Sequence, residues 1–295
     1  MNKLLYRAKS YFKRDGLFYR TCRWIYLLPR NIFYKYGYLN NYIAFPIKGF
    51  FRKHHIKPFY NDNYAKVEAL KNKHAGKRCF IIATGPSLTL EDVESLDKEI
   101  TIGVNSIFRL YNKTSFRPTY YVALDPDVEK IIQTDAVTPV EDFAKENIIL
   151  NPLMKKRYSC ATYVDICYQN HWFNYFNPRF RYEKNLKNTK DVLWGIYDKY
   201  TITNAAIDLA IYMGCKEIYL LGVDCNYKGK KKYFSDPGKE AFSPDELQAE
   251  LIHKSMMAGY EFEEKMSSHN GVRIYNATRG GMLEVFERVK LDDII

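Results

Sequence analysis

The chain has 295 residues, of which 46% are hydrophobic and 27% charged, so it can bury a full core and is neither a disordered chain nor a collagen-like one. Its net charge of +11 is unevenly placed: residues 1–60 hold thirteen Lys and Arg against one acid, Asp15, and the remaining 235 residues together carry −1. No apolar run approaches the length of a membrane-spanning helix, and the N-terminus lacks the apolar core and small-residue cleavage site of a signal peptide. The six cysteines form no C-x-x-C pair and do not cluster with His as zinc ligands would, which suits a reducing cytosol.

Taken in chain order, residues 1–60 interleave basic residues with Tyr, Phe, Trp, Leu and Ile and are broken at Pro29 and Pro46. Amphipathic helical pieces of this composition suit an anionic membrane surface. They equally suit a helical arm packed on the body with its charges solvated. No recognition motif accompanies the charge, so a nucleic-acid partner is not expected.

From 61 to 295 the pattern is that of an α/β domain. Strand-like runs fall at 79–83, 100–104, 120–124, 148–150, 218–222 and 272–275, mostly continuous rather than alternating, as in strands covered on both faces. Helical stretches are predicted at 90–96, 204–213 and from 246 to about 265. Alternating strands and helices predict a Rossmann-like, doubly wound, mostly parallel sheet, with ligands beyond the carboxyl ends of the strands. Residues 151–200 are irregular and rich in Tyr, Asn and Phe, and would form a lid or an acceptor-side subdomain.

Several polar residues sit where those strands end. Within "CFIIATGPSLTLEDVESL" (79–96), Gly85 and Pro86 make a restricted turn, and Ser87 is placed to cap the next helix, whose amides favour an anion. Asn105 follows the second strand and could bond a base or sugar, or simply turn the chain. "YYVALDPD" (120–127) brings Asp125 and Asp127, one residue apart, to the third strand end; they could hold a divalent cation through a diphosphate or cap the next helix. In "TNAAIDLAIYMGCKEIYLLGVDCNY" (203–227) a small-residue helix leads to a strand ending at Asp224. Tyr227 and Tyr233 follow in a lysine-rich loop, "NYKGKKKYF", which would be either an anion clamp or a solvated surface loop. His253 lies on a predicted helix; an isolated helical His is commonly structural, but beside a hydroxyl it would serve as a general base.

The order of G-P-S-L, the strand-terminal Asn, the 201–234 block, H-x-K with "EFEEK", and "IYNATRGGM" (274–282) resembles the bacterial sialyltransferases that use CMP-activated sialic acid. It is similar also to the wider superfamily of motility-associated factor (Maf) flagellin glycosyltransferases, which includes 6-hydroxymethylpterin diphosphokinases of the MptE type. The likeness spans about residues 76–288 and leaves out the basic arm. It implies that Gly85, Pro86, Ser87 and Asn105 contact the nucleotide. Asp125 stands where the sialyltransferases have an Asn. Tyr227 and Tyr233 would bond the departing phosphate, His253 would be the base, and Thr203, Asn204 and Asp224 would lie by the donor. The implied activity is transfer of an acidic sugar from a CMP donor to a surface glycan or glycoconjugate. It needs no cofactor, and the enzyme would work at the inner face of the cytoplasmic membrane with the arm near a lipid-linked acceptor. The MptE likeness implies instead a pterin diphosphokinase using Mg-ATP, with Asp125 and Asp127 as metal ligands. A non-catalytic scaffold in polysaccharide assembly is the third expectation.

Overall fold

The computed structural model describes residue 25 and residues 39–170, 186–226 and 246–295, apart from the side chains at 246–249 and 251. A π-helical turn, Leu39–Ala44, runs into helix α1 (Phe45–Lys53), and α2 (Asp62–Glu68) follows. The α/β order then begins: β1 (Arg78–Ile82), α3 (Leu90–Ser95), β2 (Thr101–Val104), β3 (Tyr120–Ala123), α4 (Val128–Asp135), β4 (Asn147–Leu150) and β5 (Thr162–Tyr163). It continues with β6 (Ile166–Cys167), β7 (Ile196–Tyr197), α5 (Ile202–Tyr212), β8 (Glu217–Leu221), α6 (Glu246–His269), β9 (Arg273–Asn276) and β10 (Glu287–Arg288).

Among the described residues one eight-stranded sheet runs in the order β10-β9-β8-β1-β2-β3-β4-β5, and β6 and β7 form a separate pair. Every described pairing is parallel. The expected fold class therefore holds. The continuous apolar strands read as they do because each is buried on both faces. Cys79 and Ile81 of β1 face one core with Ile102, Val122, Ile218 and the buried α5, while Phe80 and Ile82 face a second with Val93, Phe108, Phe143 and Leu221. A ring ladder crosses three strands at matched register, Phe80 stacking on Tyr219 at 5.0 Å and Tyr219 on Tyr275 at 5.1 Å.

The chain leaves β1 toward β2 through β5 on one side and resumes on β1's other side with β8, β9 and β10. The sheet's reversal point thus lies between β1 and β8, where an open parallel sheet parts its connections and leaves a crevice beyond the strand ends.

Residues 39–53 pack on the body. Asn41 is buried, its Oδ1 accepting the Tyr168 N–H at 2.6 Å, and the Phe45 ring meets the Tyr197 ring at 5.4 Å. Gly49 lies so close to Trp194 that a Cβ would come within 2.6 Å of its ring. Arg52, also buried, pairs with Asp165 at 2.6 Å and stacks over Tyr64.

Candidate active site

A cleft of about 360 Å³ opens at the reversal point. Its walls come from the ends of β1 (Ala83, Thr84, Gly85), β2 (Asn105), β3 (Asp125) and β8 (Gly222 to Asn226), from the entry into α5, and from one face of α6. That face repeats every four residues as Ile252, Met256 and Tyr260.

The turns after β1 and β8 interlock. The Gly85 N–H donates to the Gly222 carbonyl at 2.8 Å, and a Cβ on Gly85 would overlap that oxygen and Asp224 Oδ2. Gly222 adopts φ +65° within 2.6 Å of the Ala83 carbonyl oxygen, measured from where its Cβ would stand. Glycine is required at both positions by close approach. The Asp224 carboxylate, largely buried, accepts from the Ser87 hydroxyl at 2.8 Å and the Ser87 N–H at 3.4 Å. Burial pushes its carboxyl above the ordinary range while these bonds pull it back.

This corrects the reading of Ser87. It does not cap the next helix: Thr89 does, its Oγ1 accepting the Asp92 N–H at 3.2 Å while Asp92 Oδ2 accepts the Thr89 N–H at 2.9 Å. Arg279, from the "NATRGGM" segment, holds the same Asp92 through Nη1 and Nη2. The helix is one short turn and a half, and the groups of Ser87 satisfy an internal carboxylate, because a buried carboxylate without donors would cost more than a lost cap. Pro86 and Ser87 lie behind the cleft wall rather than on it; Thr84 and Gly85 form the wall.

Asn105 lines the cleft with φ +47°, and its Oδ1 is buried without a hydrogen-bond partner among the described residues. A buried acceptor so placed is suited to a ligand donor. Asp125 lines the cleft too, its Oδ1 accepting the Asp127 N–H at 3.1 Å. Asp127 does not reach the cleft. It stands at the start of α4 without a capping side-chain bond, so neither acid caps that helix through its carboxylate in the way expected. Among the described residues no three His, Cys, Asp or Glu side chains gather as a metal site. Asp125 by itself fits a magnesium ion held chiefly by substrate phosphates and water.

The segment 198–203 supplies the opposite wall: Asp198, Tyr200, Thr201, Ile202 and Thr203. Thr201 caps α5, accepting the Thr203 N–H at 2.9 Å. Asn204 is not brought to the cleft. It is fully buried and its Nδ2 donates to the Lys199 carbonyl at 2.7 Å, fixing the wall from behind. Lys199 itself points into the core, 2.6 Å from Asp208 and 2.6 Å from Glu263, with all three side chains almost wholly buried. Burial pushes the Glu263 carboxyl up to about 8 against the pull of Lys199, and burial likewise raises Asp208. Burial opposes the charge on Lys199, but the two acids outweigh it and hold its pKa raised. One ammonium thus faces two acids, and the state consistent with these directions is a Lys199–Asp208 ion pair beside a protonated Glu263. The triad ties the cleft wall to α5 and α6.

His253, on α6 one residue beyond Ile252, has its Nδ1 3.3 Å from the Cys225 carbonyl. A carbonyl can only accept, so the contact is made by an Nδ1–H, and in the neutral ring that tautomer carries its lone pair on Nε2. The imidazole is therefore joined to the turn at 85–87 through two adjacent residues, Cys225 and Asp224. Burial pushes the Cys225 thiol up to about 12, so it is no thiolate near neutral pH.

Of the residues picked out from sequence, Gly85, Asn105, Asp125, Thr203 and Asp224 meet at the cleft and His253 stands at its edge. Tyr227 and Tyr233 lie outside the described residues. Sequence reasoning missed Tyr168, Asp198, Tyr200, Thr201 and Tyr260. Asp198 and Tyr200 flank Lys199, a lone basic residue that in sequence carries no mark of burial.

The fold and cleft define an α/β protein with an open crevice at its strand ends. The family described as 6-hydroxymethylpterin diphosphokinase MptE-like matches residues 54–230, and the chain belongs to it. Two solved structures are similar over much of the chain. The Maf glycosyltransferase from Magnetospirillum magneticum AMB-1 is 13% identical with a TM-score of 0.48, covering 79% of this chain and 39% of its own. The sialyltransferase CstII from Campylobacter jejuni, in complex with cytidine-5'-monophosphate, is 17% identical with a TM-score of 0.40, covering 73% of this chain and 85% of its own. Neither bears on the reaction. No curated protein sequence matches the chain.

Proposed function

We propose that this protein is a glycosyltransferase that moves an acidic sugar from a CMP-activated donor to a hydroxyl of a surface glycan or glycoconjugate, with His253 as general base. The observation that carries the reading is the imidazole held by the Cys225 carbonyl at the edge of the reversal-point cleft, its Nε2 left as acceptor. The motif order G-P-S-L, strand-terminal Asn, 201–234 block and H-x-K supports the donor class. The cleft walls also suit a polyol: Thr84, Thr201, Thr203 and Tyr200 offer hydroxyls, and Asp125 and Asp198 can accept from sugar hydroxyls. In the reaction the acceptor O–H passes its proton to Nε2 as its oxygen attacks the anomeric carbon. The bond from that carbon to the phosphate oxygen breaks, and CMP leaves with the electron pair. Asn105 Oδ1 would take a donor hydrogen from the base or ribose. The described lining includes aspartates but no Lys or Arg. Charge on the departing phosphate would therefore fall to Tyr227 and Tyr233 and to Lys228, Lys230, Lys231 and Lys232, which directly follow the cleft residue Asn226 in sequence.

A second reading is favoured by family membership and by Asp125 in the cleft: diphosphoryl transfer from Mg-ATP to a pterin hydroxymethyl group. There Asp125 would help hold the ion that neutralises the phosphates, and His253 would again take the acceptor proton. Calorimetric titration with CMP and ATP, each with and without Mg²⁺, separates the readings. The proposal expects CMP to bind without metal, and expects His253→Ala to leave CMP affinity unchanged while lowering turnover by roughly 10²–10⁴-fold. Binding of ATP only with Mg²⁺, and none of CMP, would establish the diphosphokinase. Binding of neither would leave a non-catalytic scaffold.

A further inference from the structure

We infer that the outer face of residues 39–53 is a docking surface for an anionic lipid bilayer, set against the wall of the cleft. The segment has two faces, and the protein body covers one of them. The inner face, Asn41, Phe45, Gly49 and Arg52, is buried. Half a turn away, Leu39, Ile43, Ile47 and Phe50 repeat the same spacing and stand 40%, 44%, 47% and 49% exposed. Four large apolar side chains in one line span roughly 16 Å of helix, and a monomer in water gains nothing by showing them together. Past the helix end, Ile56 is likewise 40% exposed.

Charge decides which occupant fits. No acid occurs between Asp15 and Asp62, while Lys48, Lys53 and Lys57 lie in or just after the helix, and Lys53 and Lys57 are exposed; Arg52 is turned inward to Asp165. An apolar line whose own segment carries exposed lysines and no acid matches acyl chains beneath anionic headgroups; the carboxylate that comes near, Glu68, is held by His55 and Tyr60. The face is also positioned for use. The inner side of the same helix grips Tyr168 through Asn41 and Tyr197 through Phe45; Tyr168 lines the cleft, and Tyr197 directly precedes the cleft residue Asp198. A bilayer seated on the outer side would bring the cleft toward a lipid-linked acceptor. That last step rests on the proposed transferase; the docking itself does not.

The test is co-sedimentation of the full chain with phosphatidylcholine vesicles, with and without phosphatidylglycerol. The wild type is expected to pellet with the phosphatidylglycerol vesicles and to be released by salt. Ile43→Glu with Ile47→Glu, both exposed, should lower partitioning roughly tenfold or more at unchanged melting temperature. Lys53→Glu with Lys57→Glu, which leaves the apolar line intact, should weaken anionic binding to a similar degree and serves if the first pair fails to fold. Equal pelleting of wild type and both variants, or no pelleting of the wild type, overturns the inference. Calorimetric nucleotide binding on the same variants should match wild type; its loss in the wild type itself would count against the transferase and not against the docking face.

Discussion

Replacing Glu263 by Gln tests the buried triad and, through it, the rigidity of the cleft wall. Glu263 is fully buried beside Lys199 and Asp208, and burial lifts its carboxyl from 4.5 to about 8. Between those two values the folded protein holds a proton that the unfolded chain has lost. Its stabilising contribution is therefore whole below 4.5, falls as pH rises, and levels off above about 8. The slope in that window is ~1.4 kcal/mol per pH unit, so the wild type should lose roughly 2–3 kcal/mol from this group between pH 6 and pH 8. Gln copies the protonated acid in shape and charge and cannot titrate. The variant should resemble wild type near pH 5 and be the more stable protein at pH 8, by about 3–4 kcal/mol on the same slope. Urea unfolding at pH 5, 6, 7 and 8 measures it. Parallel stability curves for the two proteins would refute the reasoning, since Glu263 would then be ionised throughout and Lys199 would be balancing two full charges.

Lys199→Met removes the only ammonium between two buried acids and should cost about 3–5 kcal/mol at neutral pH in the same unfolding assay, with less loss on the acid side where both carboxyls are protonated. Gly85→Ala sets a methyl against Asp224 Oδ2 and the Gly222 carbonyl; an expected cost of about 1–3 kcal/mol should come with loss of nucleotide binding by calorimetry. Ser87→Ala strips the hydroxyl from the buried Asp224 carboxylate and should destabilise by roughly 1.5–3 kcal/mol in thermal melts. Thr89→Ala removes the α3 cap at a cost of ~1 kcal/mol and should leave nucleotide affinity unchanged, because that helix start is not the ligand's seat.

The amino-acid sequence determined the α/β class, the main strands and the turn that opens the site, because burial on both faces writes each strand as a local apolar run. It placed the ends of the longer strands within a residue; α6 runs past the expected end to His269, and the two-residue strands β5, β6, β7 and β10 left no periodic signal. Gly85, Asn105, Asp125 and Asp224 were legible because a polar residue directly after an apolar strand is local information. Tertiary structure decided the rest. That β8 lies beside β1, making the reversal point, is a matter of strand order that no window of sequence contains. In sequence Ser87 looks like a cap because its partner, Asp224, is 137 residues away, and Lys199 shows no sign of its role because Glu263 is 64 residues on. The basic segment near the N-terminus showed its apolar residues plainly, but only packing against Trp194 and Tyr197 separates the face the body covers from the one it leaves open. Periodicity reports what a residue's near neighbours in the chain require; which distant group meets a side chain is set when the sheet is assembled.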